Sequence, residues 1–220
     1  MSRPRASRAM ENMLGRLGFA RVAGVDEVGR GCLAGPVMAG AVVLDPDRHI
    51  PGLRDSKVLS AARREQLCAT IMRDALAWSV ATVEPAEIDR LNIGRASLEA
   101  MRQAVLGLVP LPDLVLVDAF RIPGLPMAQR GVVHGDARCS SIAAASIVAK
   151  VLRDRLMVDL HAADPRYGFD RHKGYATPEH LRAVSLHGYS TAHRRSFRPA
   201  SLFDGLEGGQ GTAEDAPTGR

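Results

Sequence analysis

The stretch Val22-Ala-Gly-Val-Asp26-Glu27-Val-Gly29-Arg30-Gly31-Cys32-Leu-Ala-Gly35-Pro36 decides how the rest of the chain is read. Val22, Ala23 and Val25 form an apolar lead-in of the kind that makes a short buried strand. The run ends in two adjacent carboxylates. Neighbouring side chains of a strand point to opposite faces, so Asp26 and Glu27 cannot both enter the same core. A carboxylate pair at the mouth of an apolar strand is costly unless something neutralises it, and a metal ion would do so. The glycines that follow let backbone come close to a ligand, and the planar fork of Arg30 suits a phosphate. These residue types alone leave a plain solvated turn equally open.

The chain has 220 residues, which is enough for about one domain with a sizeable core. Aromatic residues make up only 4%, which argues against a stacking platform for single strands. The net charge of +5 favours a polyanionic partner without requiring one. Three cysteines, Cys32, Cys68 and Cys139, show no CxxC spacing. So sparse and odd a set points away from a disulfide framework and towards a reducing compartment, the cytoplasm. No apolar run approaches the length of a bilayer span, so no membrane association is expected.

Outward from the opening stretch, residues 1–20 read as a leader, arginine-rich and solvated before about Met10, with a short helix through Met10, Met13, Leu14, Leu17 and Phe19. Val37 to Val43 reads as a second strand, hairpinned to the first through the Gly-rich turn. Asp55-Ser56-Lys57 is a polar loop, and Ser60 is a suitable N-cap for a helix burying Leu67, Cys68, Ile71, Met72 and Leu76. Trp78–Val83 reads as a third strand. Pro85 suits the first turn of one long helix through Leu106, with Ile88, Leu91, Leu98, Met101 and Val105 inward. Leu114-Val-Leu-Val117 is a continuous apolar run, the mark of a strand buried on both faces, and it too ends in an aspartate, Asp118. Residues 121–131 read as a loop and Val132–Val133 as a short edge strand before His134-Gly135-Asp136. A helix from Ser140 to about Ala162 opens on small residues that allow close approach to a sheet. His172-Lys-Gly-Tyr175 is a loop before a helix from Pro178 to about Leu186. Residues 204–220 are almost free of large apolar side chains and read as a disordered tail.

This order of elements suggests an α/β sheet with an antiparallel edge. If the first strand and Leu114–Val117 lie side by side and parallel, Asp26 and Asp118 share the carboxyl rim, where open α/β sheets bind ligands. Asp136 could join them. Four carboxylates on one rim repel one another unless cations sit between them. Hard oxygen ligands select Mg²⁺ or Mn²⁺, and such a site suits phosphodiester hydrolysis.

The blocks Gly24-Val-Asp-Glu-Val-Gly-Arg-Gly31, Asp55-Ser-Lys57, Val117-Asp118, Gly135-Asp136, Ser141–Lys150 with Arg153-Asp154, His172-Lys-Gly-Tyr175 and His193-Arg-Arg-Ser-Phe197 together resemble ribonuclease HII, in that family's order. The resemblance implies a ribonuclease H-like mixed five-stranded sheet flanked by helices, with a helical C-terminal extension, in one domain over residues 21–203. It implies cleavage of the RNA strand of RNA–DNA hybrids and incision 5′ of single ribonucleotides in duplex DNA, using Mn²⁺ or Mg²⁺. Asp26, Glu27, Asp118 and Asp136 would be the metal-binding, catalytic carboxylates. Gly29, Arg30 and Gly31 would read the 2′-hydroxyl, and Tyr175 would pack on the sugar. The chain departs from the family pattern in Ala119, where glycine often stands, and in His134, where lysine often stands.

Lys57 and Lys150 are candidate phosphate contacts. Arg194, Arg195 and Arg198 form a basic cluster that would follow the duplex backbone. Asp154 is expected to pair with an arginine one turn away. His172, His187 and His193 read as isolated polar filler, and Cys32 and Cys139 as small packing residues. A monomer is expected. Two other readings stand beside the enzyme. A non-catalytic hybrid-binding module would not need four carboxylates. A metal-dependent phosphatase would ordinarily show an aspartate nucleophile or a histidine-rich metal site.

Overall fold

The computed structural model describes residues 6–197; the expected disordered tail and Arg198 lie outside them. Five strands, β1 (Val22–Val28), β2 (Val37–Val43), β3 (Ala77–Val83), β4 (Leu114–Asp118) and β5 (Ala128–Val132), form one sheet in the order β3-β2-β1-β4-β5. β1, β2 and β3 pair antiparallel, while β4 and β5 run parallel to β1. The sheet is therefore mixed, as the sequence implied, with its parallel half at the β1–β4–β5 side.

Period-two alternation sorts the strand residues between two layers. Ala23, Val25, Ala39, Ala41, Val115 and Val117 face one core, shared with Ala96, Ala100, Met101 and Ala104 of helix α4 (Ile93–Leu106). The opposite face receives α6 (Ser140–Ala163), the longest helix. Gly24 and Gly40 lie beneath it. A Cβ on Gly24 would sit 2.1 Å from the carbonyl carbon of Ser141, and one on Gly40 would sit 2.6 Å from the Ala145 oxygen. The bare glycines and the run Ala143-Ala144-Ala145 let the helix lie directly on β1 and β2. Helix α2 (Ala61–Asp74) packs beside α6 through Leu67, Cys68 and Ile71, and the Ser60 hydroxyl accepts from the Arg63 N–H as an N-cap should.

The first helix, α1 (Ala9–Arg16), buries Leu14 and Glu11, so the chain joins the packed body from that point. Glu11 Oε1 accepts from the N–H (2.8 Å) and hydroxyl (2.7 Å) of Ser141, supplying from afar the cap that Cys139 does not give α6.

Four expectations need correction. The helix from Pro85 is two helices, α3 (Pro85–Leu91) and α4, broken at Asn92. Asn92 adopts φ 69° and its side chain caps Arg95, which ends one helix and starts the next in a single residue. The edge strand begins at Ala128 rather than Val132, because Ala-Gln-Arg-Gly-Val is largely exposed and carries no apolar alternation. Leu76 lies past the end of α2 and is exposed rather than inward. Asp154 pairs with Lys150 (2.7 Å), not with an arginine.

Beyond α6 come a 3₁₀ turn (Pro165–Tyr167), the short helix α7 (Phe169–His172) and α8 (Pro178–His187). They enclose a separate small core of Ala34, Met157, Tyr167, Phe169 and Val184. A bridge between Ala34 and His193 stitches this C-terminal layer to the turn after β1. Among the described residues no helix is long and apolar enough to cross a membrane.

Candidate active site

The register that pairs Val25 with Val117 puts Asp26 and Asp118 at the same level on adjacent parallel strands. Strands pair about 4.8 Å apart, and residues at matching positions face the same way, so both aspartates point to the α6 side at the carboxyl rim. Glu27 takes the other face. Asp136 is carried by the four-residue helix α5 (Gly135–Arg138), held over the rim because the Gly135 N–H donates to Asp118 Oδ1 (2.7 Å). A Cβ at Gly135 would come within 2.5 Å of the end of the Ile142 side chain and 3.2 Å of Asp118 Oδ1, so a larger residue would push both aside. The four carboxylates that sequence reasoning singled out thus occupy one end of β1, β4 and α5.

Their electrostatics are those of crowded like charges. Burial first, then the charge of Glu27, push the Asp26 carboxyl well above its ordinary range; Asp118 and Asp136 add to this, while a hydrogen bond from Ser146 of α6 opposes it. Burial also raises Glu27, against the opposing pull of Arg30, whose Nη1 lies 3.3 Å from Glu27 Oε1. Burial followed by Asp55 and Asp118 raises Asp136. Lys57 faces this group: burial pulls its ammonium down, but Asp26, Asp55, Asp136 and Asp118 together raise it. The Ser56 hydroxyl lies 2.9 Å from that of Ser146, tying the Lys57 loop to α6.

Beside the carboxylates runs the turn Gly29-Arg30-Gly31. Gly29 has φ 89° and lies against α6, where a Cβ would sit 2.3 Å from Arg153 Nε; Gly31 is exposed, and a Cβ there would meet nothing within 4 Å. The Arg30 guanidinium covers the Phe120 ring at 4.9 Å. Tyr175 is 43% exposed at the same rim. Burial, and then the neighbouring Cys32 thiol, push its phenol up.

The ribonuclease HII family model matches residues 23–200. The chain belongs to the ribonuclease HII family. A ribonuclease HII of Chromobacterium violaceum is 55% identical over 184 residues, covering 83% of this chain and 93% of that protein. The crystal structure of the ribonuclease H2 from Pyrococcus horikoshii OT3 superposes with a TM-score of 0.71 at 26% identity, covering 86% of this chain and all of that one. The fold is also that of the Bst-RNase HIII crystallised in complex with Mn²⁺ (TM-score 0.68, 19% identity, 85% of this chain and 69% of that one), a likeness of fold alone. The chain is accordingly a ribonuclease H-type endonuclease with the ribonuclease H-like fold.

Two of the expected phosphate contacts are placed differently from the sequence reading. Arg194 is fully buried, so it is no part of a surface patch. Its Nε donates to the Gly35 carbonyl (2.9 Å) and its Nη1 to the Arg30 carbonyl (3.0 Å), holding the turn from beneath. Burial lowers its pKa to about 10. Arg153, also fully buried, donates to the carbonyls of Pro36 (3.0 Å), Lys173 (3.0 Å) and Ala34 (3.1 Å). Lys150 is half-buried in its pair with Asp154. Arg195 is exposed; its backbone N–H and that of Ser196 are held by Asp89 of α3 at 2.9 Å each. Sequence reasoning missed the structural work of Arg153 and Arg194, since arginines among polar neighbours read as surface. It also missed Phe120 and Ser146. The one available signal was the number of backbone carbonyls that a turn with three glycines leaves to be satisfied.

Proposed function

We propose that Asp26, Glu27, Asp118 and Asp136 hold divalent cations, Mn²⁺ or Mg²⁺, and that with them the chain cuts the RNA strand of RNA–DNA hybrids and incises 5′ of single ribonucleotides in duplex DNA. The observation that carries this reading is the β1–β4 register, which sets Asp26 beside Asp118 with two further carboxylates over the same rim. The donor set fits the ions. All four ligands are hard oxygens, which favour Mg²⁺ or Mn²⁺, and the upward-shifted carboxyls of Asp26, Glu27 and Asp136 are what a cation would relieve. Among the described residues no three acidic side chains yet enclose one ion-sized point, so binding would involve rotation of carboxylate side chains. When bound, such cations activate water and stabilise the attacking and leaving oxygens of an in-line displacement.

The chain's own residues would supply recognition. The 2′-hydroxyl is the group that tells RNA from DNA at one nucleotide, and it is both donor and acceptor. The turn at Gly29–Gly31 offers backbone groups to it on the open side of Gly31. The Tyr175 ring would pack on the sugar at the RNA–DNA junction. Lys57 stands where it could neutralise a phosphate next to the carboxylates, and Arg195 on the exposed surface could meet the duplex backbone.

The test is a labelled duplex carrying one ribonucleotide, incubated with Mn²⁺, Mg²⁺ or chelator. Metal-dependent nicking on the 5′ side is expected. Tight binding without a nick in any of the three would select the non-catalytic module instead. In the same assay Tyr175→Ala should incise the single ribonucleotide more weakly, with a raised KM, while melting at the wild-type temperature.

A further inference from the structure

Three buried histidines stand directly behind Tyr175. His172 and His180 stack with ring centroids 4.3 Å apart and planes within 14°. The Nε2 atoms of His180 and His193 lie 3.0 Å from each other. All three are nearly or wholly inaccessible, and all sit in the C-terminal layer against Tyr167 and Phe169.

The partners at the two ends of this chain fix where every proton sits. The Ser190 N–H can only donate, and it donates to His193 Nδ1 (3.0 Å); the Ser190 hydroxyl lies 2.8 Å from the same nitrogen and itself accepts from the Ala192 N–H (3.2 Å). Neutral His193 therefore carries its proton on Nε2. That proton must point at His180 Nε2, which leaves the proton of neutral His180 on Nδ1. His180 Nδ1 in turn lies 2.8 Å from the backbone carbonyl of Tyr175, which can only accept. The assignments agree from both ends. Burial, and for each a neighbouring imidazole, hold His180 and His193 down at about 4, in keeping with two neutral rings. An added proton on His180 Nε2 would set N–H against N–H across the 3.0 Å contact, and one on His193 Nδ1 would meet the Ser190 N–H head-on. His172 closes the other side: its Nδ1 accepts from the Gly174 N–H (3.2 Å) and its Nε2 donates to the Tyr167 carbonyl (2.7 Å).

We infer that Ser190, His193 and His180 form a one-way hydrogen-bond relay ending on the Tyr175 carbonyl, and that, with His172 on Gly174, it positions the Tyr175 ring for substrate. The inference rests on the reading of Tyr175 as the sugar contact. The relay is the link between the C-terminal layer and the reading turn. Gly174, whose N–H His172 holds, gives its carbonyl to the Leu33 N–H (2.8 Å), and Leu33 in turn accepts from the Arg194 N–H (2.8 Å). The imidazoles thus act at one remove from substrate, as positioning residues.

Two measurements test it. Long-range ¹H–¹⁵N correlation spectra of the histidine-labelled full chain at pH 7 should show His193 as the Nε2–H tautomer and His180 as the Nδ1–H tautomer. The opposite tautomers, or an imidazolium in either ring, overturn the relay. In steady-state incision of a duplex with one ribonucleotide, His180→Leu should raise KM about tenfold and leave kcat within about threefold, the loss of roughly one positioning hydrogen bond. His180→Asn, which keeps a donor near the Nδ1 position, should recover most of the loss. In a Tyr175→Ala background, His180→Leu should add nothing; an undiminished tenfold effect there means that His180 does not act through Tyr175 and overturns the inference. If Tyr175→Ala alone leaves KM unchanged, the sugar-contact reading fails and takes the positioning role with it. The tautomer spectrum does not depend on substrate, so the two failures are told apart.

Discussion

Replacing Asp26 by asparagine should make the ion-free protein more stable and less active at once. Asp26 is 8% exposed, and burial, Glu27, Asp118 and Asp136 all act against its charge. Paired strands lie about 4.8 Å apart, and two unit charges at that distance in an effective dielectric of about 20 repel by about 3 kcal/mol. Proton uptake by Asp26 limits what is felt near neutral pH, so the isosteric amide should gain about 1–3 kcal/mol. The Glu27 N–H, which donates to Asp26 Oδ1 at 2.9 Å, keeps its acceptor in the variant. In a domain of this size each kcal/mol moves Tm by about 2–4 °C, so in chelator Asp26→Asn should melt about 2–12 °C above wild type. With Mn²⁺ at about a hundred times its Kd, wild type should gain about 2.7 kcal/mol and the variant much less, so the order of the two melts should reverse. Incision should fall by about a thousandfold or more, equivalent to about 4 kcal/mol of transition-state stabilisation. The measurement is a pair of thermal melts for each protein, in chelator and in Mn²⁺, beside the nicking assay. A variant that melts below wild type in chelator, or that gains as much from Mn²⁺ as wild type does, refutes the reasoning.

Gly24→Ala should destabilise by about 3 kcal/mol or more, since its Cβ would land on the α6 backbone rather than on a movable side chain. Gly31→Ala should leave urea unfolding within about 0.5 kcal/mol of wild type and lower incision at lone ribonucleotides; equal unfolding midpoints for the two variants would contradict the packing described. Arg194→Met should destabilise by about 3 kcal/mol, because two charge-assisted bonds to buried carbonyls are lost. It should leave the salt slope of duplex binding unchanged, whereas Arg195→Ala should reduce that slope by about one; the reverse pattern would return Arg194 to the surface. The pH dependence of stability should carry the sign of buried neutral histidines. Their folded pKa of about 4 lies below the ordinary 6.5, so the unfolded chain binds more protons between those values, and stability should fall as pH drops from 6.5 towards 4. Asp164 acting on His193, and Glu179 and Asp170 against Arg171 acting on His172, moderate this. The raised Asp26, Glu27 and Asp136 oppose it, since acid relieves their repulsion. Asp26→Asn should therefore lose stability more steeply with acid than wild type and His180→Leu less steeply, in melts from pH 7 to 4.5.

The sheet was legible because its signals are local. Leu114–Val117 is apolar on both faces, and the serines and alanines that open α6 advertise close contact. The convergence of Asp26 and Asp118 was not local: no residue pattern states which strands pair, and the parallel register supplied it. The break at Asn92 escaped notice because Leu-Asn-Ile holds neither glycine nor proline. The N-cap of α6 escaped because it comes from Glu11, 130 positions away. The histidines failed for a related reason. Single imidazoles spread from 172 to 193 look unremarkable until a turn and a helix fold them onto one another, and only then does the donor or acceptor at each end dictate a tautomer.

The carbonyl of Arg30 is held by a side chain 164 positions further along. During synthesis the acidic rim, with all of its carboxylates by Asp136, can assemble while that arginine is still to be made. The turn beside it lacks its fastening until the last fifth of the molecule arrives. A chain cut short before Ser190 would keep every acidic side chain of the rim yet lose the brace that gives the turn its shape, so under the proposed roles such a product should still take up cations and no longer separate ribose from deoxyribose.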